Sequence, residues 1–142
     1  MDNPFLMPFQ MVAFYAAINA LIMLTLAMLV VRARVKTRTE IGDNADPAMV
    51  GPLRAHANNT EYVPLAILLM LILYSLGANV VVIHAVGGTL TLGRLLHAIG
   101  LSRNVGTSAP RFIGMVLTWL SYILAIAATL WLTFATSAPP QG

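Results

Sequence analysis

Four long apolar runs constrain this chain more than any other feature of its sequence. They cover residues 9–31, 54–76, 80–101 and 111–133, and each has the length of about 20 residues that a helix needs to cross a bilayer. The 142 residues are 58% hydrophobic and only 9% charged, which leaves too few charges for the surface of a soluble domain. The sequence therefore predicts an all-α integral membrane protein, in which residues 1–142 form one domain, a bundle of four transmembrane helices.

The second apolar run begins with a polar stripe. Arg54, Asn58 and Glu61 are spaced at i, i+4 and i+7, so their side chains share one face of a helix. Such groups at a membrane boundary are costly unless they pair with one another or with a ligand. Two interpretations remain open: a structural ion pair between Arg54 and Glu61 with Tyr62 at the headgroup level, or a polar ligand pocket at the membrane surface.

Further polar residues mark the end of the third run and the start of the fourth. Arg94 and His97 lie one helical turn apart, so they share a face near the end of the third helix. Arg111 falls in the first turn of the fourth helix, where the helix dipole disfavours a cation and a compensating anion is expected. That anion is either a lipid phosphate or an acidic ligand.

Three residues inside the runs predict contacts between helices. Asn19 is the strongly polar residue within the first run, and an amide in that setting is typical of a hydrogen bond to a neighbouring helix. Gly87 and Gly88 in the third run predict the close approach of another helix.

The positive charges predict how the bundle is oriented. With four spans, the first and third loops share one side of the membrane, and the two termini share the other side with the second loop. Cations concentrate in cytoplasmic loops, so the first and third loops are expected in the cytoplasm and the termini on the opposite side. Seven of the eight Lys and Arg residues fall on the first side: Arg32, Arg34, Lys36, Arg38, Arg54, Arg103 and Arg111. The polar clusters thus meet at one depth, which predicts a pocket for an anionic or zwitterionic ligand at the cytoplasmic interface.

Composition also excludes several kinds of chemistry. The chain has no cysteine, so a protein thiol nucleophile is excluded and any thiol must come from a bound cofactor. The histidines at positions 56, 84 and 97 lack the spacing of metal ligands. The basic residues cluster at the ends of the spans and form no aromatic-rich basic surface, so no nucleic-acid partner is expected.

Two short motifs resemble a known family of membrane proteins. Arg54, Asn58, Glu61 and Tyr62 keep the spacing of a motif that begins the second helix in the membrane-associated proteins in eicosanoid and glutathione metabolism, the MAPEG family, and the likeness is to its bacterial-type members. Arg94, His97 and Gly100 resemble the third helix of the same family. The resemblance implies that glutathione is bound by Arg54, Asn58, Glu61, Tyr62, Arg94 and His97.

The family pattern also implies which residue activates the glutathione thiol. An Arg near the start of the fourth helix has that role, and Arg111 is the match, with Arg103 in the preceding loop as a competitor. Leu101 stands where some members carry a Tyr, so no hydroxyl contact to the ligand is expected from that turn.

The resemblance implies a membrane-bound glutathione S-transferase that joins a glutathione thiolate to a lipophilic electrophile, with peroxidase activity as an additional possibility. It also implies a homotrimer in a bacterial inner membrane, surrounded by lipid, with the site between protomers, so that Arg54 and Arg111 need not come from the same chain. Two other functions remain open. One is a non-catalytic scaffold that binds lipid or glutathione, and the other is a small transporter subunit.

Overall fold

The computed structural model describes residues 6–103 and 106–136, and the chain in these ranges forms four helices. They are α1 (Leu6–Thr37), α2 (Pro47–Ser75), α3 (Val80–Arg103) and α4 (Ala109–Thr136). All four are long and apolar enough to cross a membrane, which confirms the predicted all-α membrane architecture. Each helix except α3 extends several residues beyond its apolar run at one or both ends. An apolar run marks only the part of a helix that crosses the hydrocarbon core, and the polar turns outside that core are not part of it.

Helix α2 begins well before its apolar run. Asp46 caps it by accepting a hydrogen bond from the backbone N–H of Ala48 at 2.8 Å, and Pro47 occupies the first helical position, where the missing N–H costs nothing. Pro52 lies inside the early turns without ending the helix. The 29 residues of α2 span about 43 Å at 1.5 Å per residue. This exceeds the hydrocarbon core of a bilayer by about 13 Å, so one end of α2 lies at the membrane surface or beyond it.

A tight turn makes α2 and α3 antiparallel neighbours. Gly77 adopts a left-handed conformation (φ 78°), and the N–H of Ala78 donates to the carbonyl of Leu73 at 2.9 Å, which closes the end of α2 as glycine-terminated helices do. The side chain of Asn79 then accepts from the N–H of Val82 at 3.0 Å and caps α3. The residue that closes α2 is therefore followed at once by the residue that caps α3.

Helices α3 and α4 approach so closely that their contact depends on glycine. A Cβ atom at Gly93 would lie 2.9 Å from the carbonyl oxygen of Gly114 and from the backbone N of Thr118. A Cβ at Gly100 would lie 2.6 Å from the backbone N of Arg111. These distances are shorter than real Cβ contacts, so the two backbones pack together near the end of α3 and the start of α4.

Helix α1 contacts α3 through an aromatic ring and an amide. The ring of Tyr15 fills the space beside Gly87, whereas a Cβ at Gly88 would meet only the Tyr15 hydroxyl, at 3.8 Å. Asn19 Nδ2 donates to Thr91 Oγ1 at 2.8 Å, which confirms the predicted interhelical hydrogen bond. Among the described residues, α1 packs on α2 and α3 but makes no contact with α4, so α2 and α3 form the centre of the bundle.

Candidate functional site

A polar cavity opens at the end of the bundle where α2 and α4 begin and α3 ends. It has a volume of about 340 Å³, which lies within the range of small-molecule sites, about 300–1,000 Å³. The cavity brings together residues that are distant in sequence. Its lining consists of Val50, Arg54, Ala57, Asn58, Glu61, His97, Leu101 and Arg111.

The side chains of Arg54 and Glu61 line this cavity and do not form an ion pair with each other. Both side chains are exposed, and both line the cavity from the same side of α2. Within the described part of the chain, neither makes a hydrogen bond or an ion pair, so the structure does not contain the Arg54–Glu61 pair that the sequence left open. A cation and an anion are thus both available to a ligand from one helix face.

Arg94 lies behind the cavity and not in its wall. Its side chain is 0% exposed, although an arginine is rarely buried so completely without partners. Nη2 donates to Asn58 Oδ1 at 2.9 Å and Nε donates to Asn59 Oδ1 at 3.1 Å. Nη1 lies 3.5 Å from Thr118 Oγ1. The guanidinium group is therefore held by the protein itself, between α2 and α4.

Tyr62 also lies outside the cavity lining, and its ring packs against the guanidinium group of Arg94. The Cζ atom of Arg94 is 5.7 Å from the centroid of the Tyr62 ring, within the range of a cation–π contact. The Tyr62 ring packs edge-on against Tyr122, with centroids 6.0 Å apart. The Tyr122 hydroxyl donates to the carbonyl oxygen of Tyr62 at 2.6 Å. The rings of Tyr62 and Tyr122 thus restrict the position of the Arg94 guanidinium group.

The contact with Arg94 determines how Asn58 is presented. Because the amide oxygen of Asn58 accepts from Arg94, the hydrogen-bonding capacity left to the side chain is mainly that of its two N–H donors. Asn58 is half-buried and lines the cavity. It therefore offers donors to a ligand acceptor, such as a carboxylate or a peptide carbonyl.

His97 joins the cavity from α3. Its ring is almost fully buried, and Nδ1 lies 3.4 Å from Arg94 Nη2. A guanidinium group can only donate, so Nδ1 acts as the acceptor and a neutral ring carries its proton on Nε2. The close approach of α3 to α4 at Gly114, where an added Cβ would overlap the backbone of His97, holds the imidazole next to the start of α4.

Arg111 completes the cavity from the first turn of α4. Its Nη1 donates to the carbonyl oxygen of Gly106 at 3.2 Å, and its backbone packs on Gly100. Arg103, its competitor for the activating role, lies in the last turn of α3, but its side chain falls outside the described residues.

Two polar residues of this site were not predicted from the sequence: Asn59 and Thr118, which both contact Arg94. Asn59 is 0% exposed and belongs to the buried stripe of α2, together with Ala55 and Val63. An amide at a core position of an amphipathic pattern is the available signal, because it needs a buried partner. Thr118 gives no such signal, since a threonine in a membrane helix satisfies its hydroxyl on its own backbone, as it does here with the carbonyl of Gly114 at 2.8 Å.

Four membrane-crossing helices with a charged cavity at one end define a small integral membrane protein that has a polar ligand site between its helices. Comparison with known proteins identifies the family. The model of the MAPEG family matches residues 12–131, and the chain belongs to this family.

The chain is similar to two bacterial proteins of known sequence. Inner membrane protein YecN of Escherichia coli (strain K12) is 35% identical over 119 residues, which cover 84% of this chain and 89% of that protein. The protein of the same name from Escherichia coli O6:H1 matches with the same identity and coverage. No solved structure gives a significant match.

Proposed function

We propose that this protein is a membrane-bound glutathione S-transferase. The observation that carries the proposal is the composition of one cavity, in which two arginines, a glutamate and an asparagine amide line about 340 Å³ of space. Glutathione has two carboxylates, one ammonium group, two peptide bonds and a thiol. The cavity has a matching surplus of positive charge, one carboxylate and neutral hydrogen-bond donors.

The lining residues divide into groups that suit the charged ends of glutathione. Arg54 would hold a carboxylate by charge-assisted hydrogen bonds, and Glu61 would hold the ammonium group. Asn58 would donate to a carbonyl or carboxylate oxygen. Arg94, which the resemblance placed among the glutathione ligands, is better suited to holding Asn58 and His97 in position, since its guanidinium already bonds to protein atoms. Tyr62, also a ligand by the resemblance, packs against that guanidinium.

Bound glutathione would supply the nucleophilic thiol that this cysteine-free chain lacks. The positive charge of Arg111, or of Arg103, would lower the pKa of that thiol and so raise the fraction of thiolate at neutral pH. In a transfer reaction the sulfur forms a bond to the electrophilic carbon, the leaving group departs with its electron pair, and the thiol proton passes to solvent. In the peroxidase reaction two glutathione molecules would reduce a lipophilic hydroperoxide to the alcohol and water and would be oxidised to glutathione disulfide.

The proposed setting is a bacterial inner membrane, with the cavity open to the cytoplasm, where glutathione occurs. The one-sided distribution of Lys and Arg supports this orientation, and the E. coli relatives are named as inner membrane proteins. A homotrimer is proposed as well. The exposed charges of Arg54 and Glu61 on a membrane-crossing helix support it, because a neighbouring chain would shield them from lipid.

A non-catalytic scaffold is the second candidate, and Leu101 favours it. This residue lines the cavity with an apolar side chain, so the turn after His97 supplies no hydroxyl group near a bound thiol. A transporter subunit is less well supported. Beyond the cavity the interior closes with apolar side chains, among them Met70, Leu73, Ile83 and Val86, and a polar path across the membrane would have to pass through them.

Turnover of chlorodinitrobenzene by detergent-purified protein tests the proposal. We expect product to form only when glutathione is present and to fall with Arg111→Ala, while Arg38→Ala, which removes a cation outside the cavity, leaves the rate unchanged. Glutathione binding without any turnover of aromatic electrophiles or lipid hydroperoxides would favour the scaffold. Absence of glutathione binding would contradict the proposed function altogether.

A further inference from the structure

Pro64 divides α2 into a first half, residues 47–63, and a second half, residues 65–75. A proline has no backbone N–H, so the carbonyl of Thr60 loses its partner in the helix, and the proline ring also clashes with that carbonyl. The direction of a helix is least well fixed at such a point. The second half contributes Met70 and Leu73 to the buried core and ends in the turn that joins α3, so its position is determined by packing.

The first half of α2 carries the polar groups of the cavity. Every α2 residue that lines the cavity precedes Pro64: Val50, Arg54, Ala57, Asn58 and Glu61. Arg54 lies eight residues before Tyr62, which corresponds to about 12 Å along the helix axis. A change of about 5° in helix direction near Pro64 would therefore move Arg54 by about 1 Å. Errors of that size in the placement of a binding group lower the efficiency of an enzyme strongly.

A side chain from α4 bonds to α2 at this interrupted turn. The Tyr122 hydroxyl donates to the carbonyl oxygen of Tyr62 at 2.6 Å, two residues before Pro64, and the two rings meet edge to face. A tyrosine side chain has only two rotatable angles, so a hydrogen bond and a ring contact to one residue together restrict how far α2 can move from α4. The remaining supports of the first half include Arg94, which bonds to it from α3.

We propose that Tyr122 is a positioning residue, which holds the first half of α2 at a fixed distance from α4. Through this contact it would keep Arg54, Asn58 and Glu61 in place relative to Arg111, which lines the same cavity from α4. Tyr122 does not line the cavity, so it would act through α2 and not by touching the ligand. This inference rests on the proposed function, because the groups that it positions are those proposed to bind glutathione.

Steady-state kinetics of Tyr122→Phe, which keeps the ring and removes the hydrogen bond, tests the effect on the site. We expect the KM for glutathione to rise about tenfold and the KM for chlorodinitrobenzene to stay within about twofold, since the displaced groups bind only glutathione. A general loss of stability would lower the amount of active protein without separating the two constants. An unchanged KM for glutathione would overturn the proposal.

Ser121→Ala is the matched control. The Ser121 hydroxyl also donates to a backbone carbonyl of another helix, that of Val86 at 2.9 Å, and its side chain is fully buried. This bond starts from the same turn of α4 but leads to α3, so its loss should leave the KM for glutathione unchanged. An equal rise in KM for both variants would show that any interhelical bond of α4 has this effect, and it would overturn the specific role of Tyr122.

Hydrogen exchange of the full chain in detergent, without glutathione, tests the position of α2 directly. Tyr122→Phe should raise the exchange rates of residues 53–63 about fivefold and leave those of residues 68–75 unchanged, whereas Ser121→Ala should alter neither segment. Unchanged exchange in residues 53–63 would overturn the proposal whatever the kinetics show. If the wild type shows no glutathione-dependent turnover, the proposed function fails, and the exchange rates still decide whether Tyr122 holds α2.

Discussion

At the scale of single residues, the arrangement around Arg94 explains how a charged side chain is tolerated inside the bundle. A buried guanidinium has five N–H donors, and three side-chain oxygens from α2 and α4 lie within hydrogen-bonding distance of it, together with the face of Tyr62. Removal of one partner leaves an unsatisfied charged donor, which costs more than the hydrogen bond itself contributes.

Asn59→Ala is therefore expected to destabilise the protein by about 1–3 kcal/mol, since it removes the acceptor for Arg94 Nε. The neighbouring Thr60→Ala is a matched control. The Thr60 hydroxyl is exposed and bonds only to the carbonyl of Ala57, so a change within about 0.5 kcal/mol is expected. Thermal unfolding in detergent measures both variants. Equal midpoints for the two would show that Asn59 does not support Arg94.

The proposed site separates residues that hold glutathione from the one that activates it. Arg54→Ala and Glu61→Gln remove contacts made equally before and during the reaction, so they should mainly raise the KM for glutathione. One lost charge-assisted bond corresponds to roughly a tenfold to hundredfold increase. Steady-state kinetics with varied glutathione measures this, and a loss of kcat at unchanged KM would place both residues in the chemical step instead.

Arg111→Ala should act on the thiol. A nearby cation lowers the pKa of a thiol, so its removal should shift thiolate formation to higher pH by about one unit or more and reduce kcat at neutral pH. Ultraviolet absorbance of the bound thiolate against pH measures the shift. Arg103→Ala is the comparison: if it moves the titration and Arg111→Ala does not, Arg103 at the end of α3 is the activator.

The sequence predicts the residues that line the cavity better than the residues that hold Arg94 behind it. Arg54, Asn58, Glu61, His97 and Arg111 were selected from their spacing and resemblance, and the structure brings all five to one cavity. Their roles as ligands remain predictions. Spacing along one helix defines a face but not what lies across from it, which is why the contacts of Arg94 with Asn59 and Thr118 came only from the structure.

At the scale of helices, small residues determine how the bundle closes. The sequence assigned close packing to Gly87 and Gly88, and Gly87 indeed accommodates Tyr15, but Gly93, Gly100 and Gly114 make the closest backbone approach. A glycine in a membrane helix indicates small size, and the sequence does not say which neighbour uses the space. The extents of the helices show the same limit, because polar turns beyond an apolar run depend on caps such as Asp46.

Gly93→Ala and Gly88→Ala form a matched pair within α3. A Cβ at Gly93 would lie 2.9 Å from backbone atoms of α4, whereas one at Gly88 has an ordinary contact at 3.8 Å. We expect Gly93→Ala to cost about 1–3 kcal/mol by overpacking, and Gly88→Ala to be neutral or to stabilise by up to about 1 kcal/mol through helix propensity. Thermal unfolding of the two variants checks this, and the opposite order would contradict the α3–α4 packing.

At the scale of the whole molecule, the orientation in the membrane remains a prediction that rests on charge. Seven of the eight cations lie at one end of the bundle, and the polar cavity lies at that same end. A reporter fused after Gly142 should therefore be active only on the non-cytoplasmic side. A cytoplasmic signal from this fusion would reverse the orientation and place the cavity away from cytoplasmic glutathione.

The assembly of chains determines whether the site is shared. The resemblance allows Arg54 and Arg111 to come from different protomers of a homotrimer, but in the structure both line one cavity of a single chain. Mass measurement in nanodiscs is expected to give three chains, and a stable, active monomer would contradict the trimer. A neighbouring chain would then serve to cover the exposed side of the cavity and not to supply either arginine.

Mixed oligomers test this distinction. Chains that carry Arg54→Ala and chains that carry Arg111→Ala are expressed together with different tags, and particles that contain both are purified. If the two arginines act within one chain, every cavity in the mixture lacks one of them, so the activity should lie between those of the two pure variants. If they act across an interface, some cavities regain both arginines, and the activity would exceed that of either variant alone. Wild-type chains mixed with either variant are the control, because they should retain activity in proportion to the intact cavities.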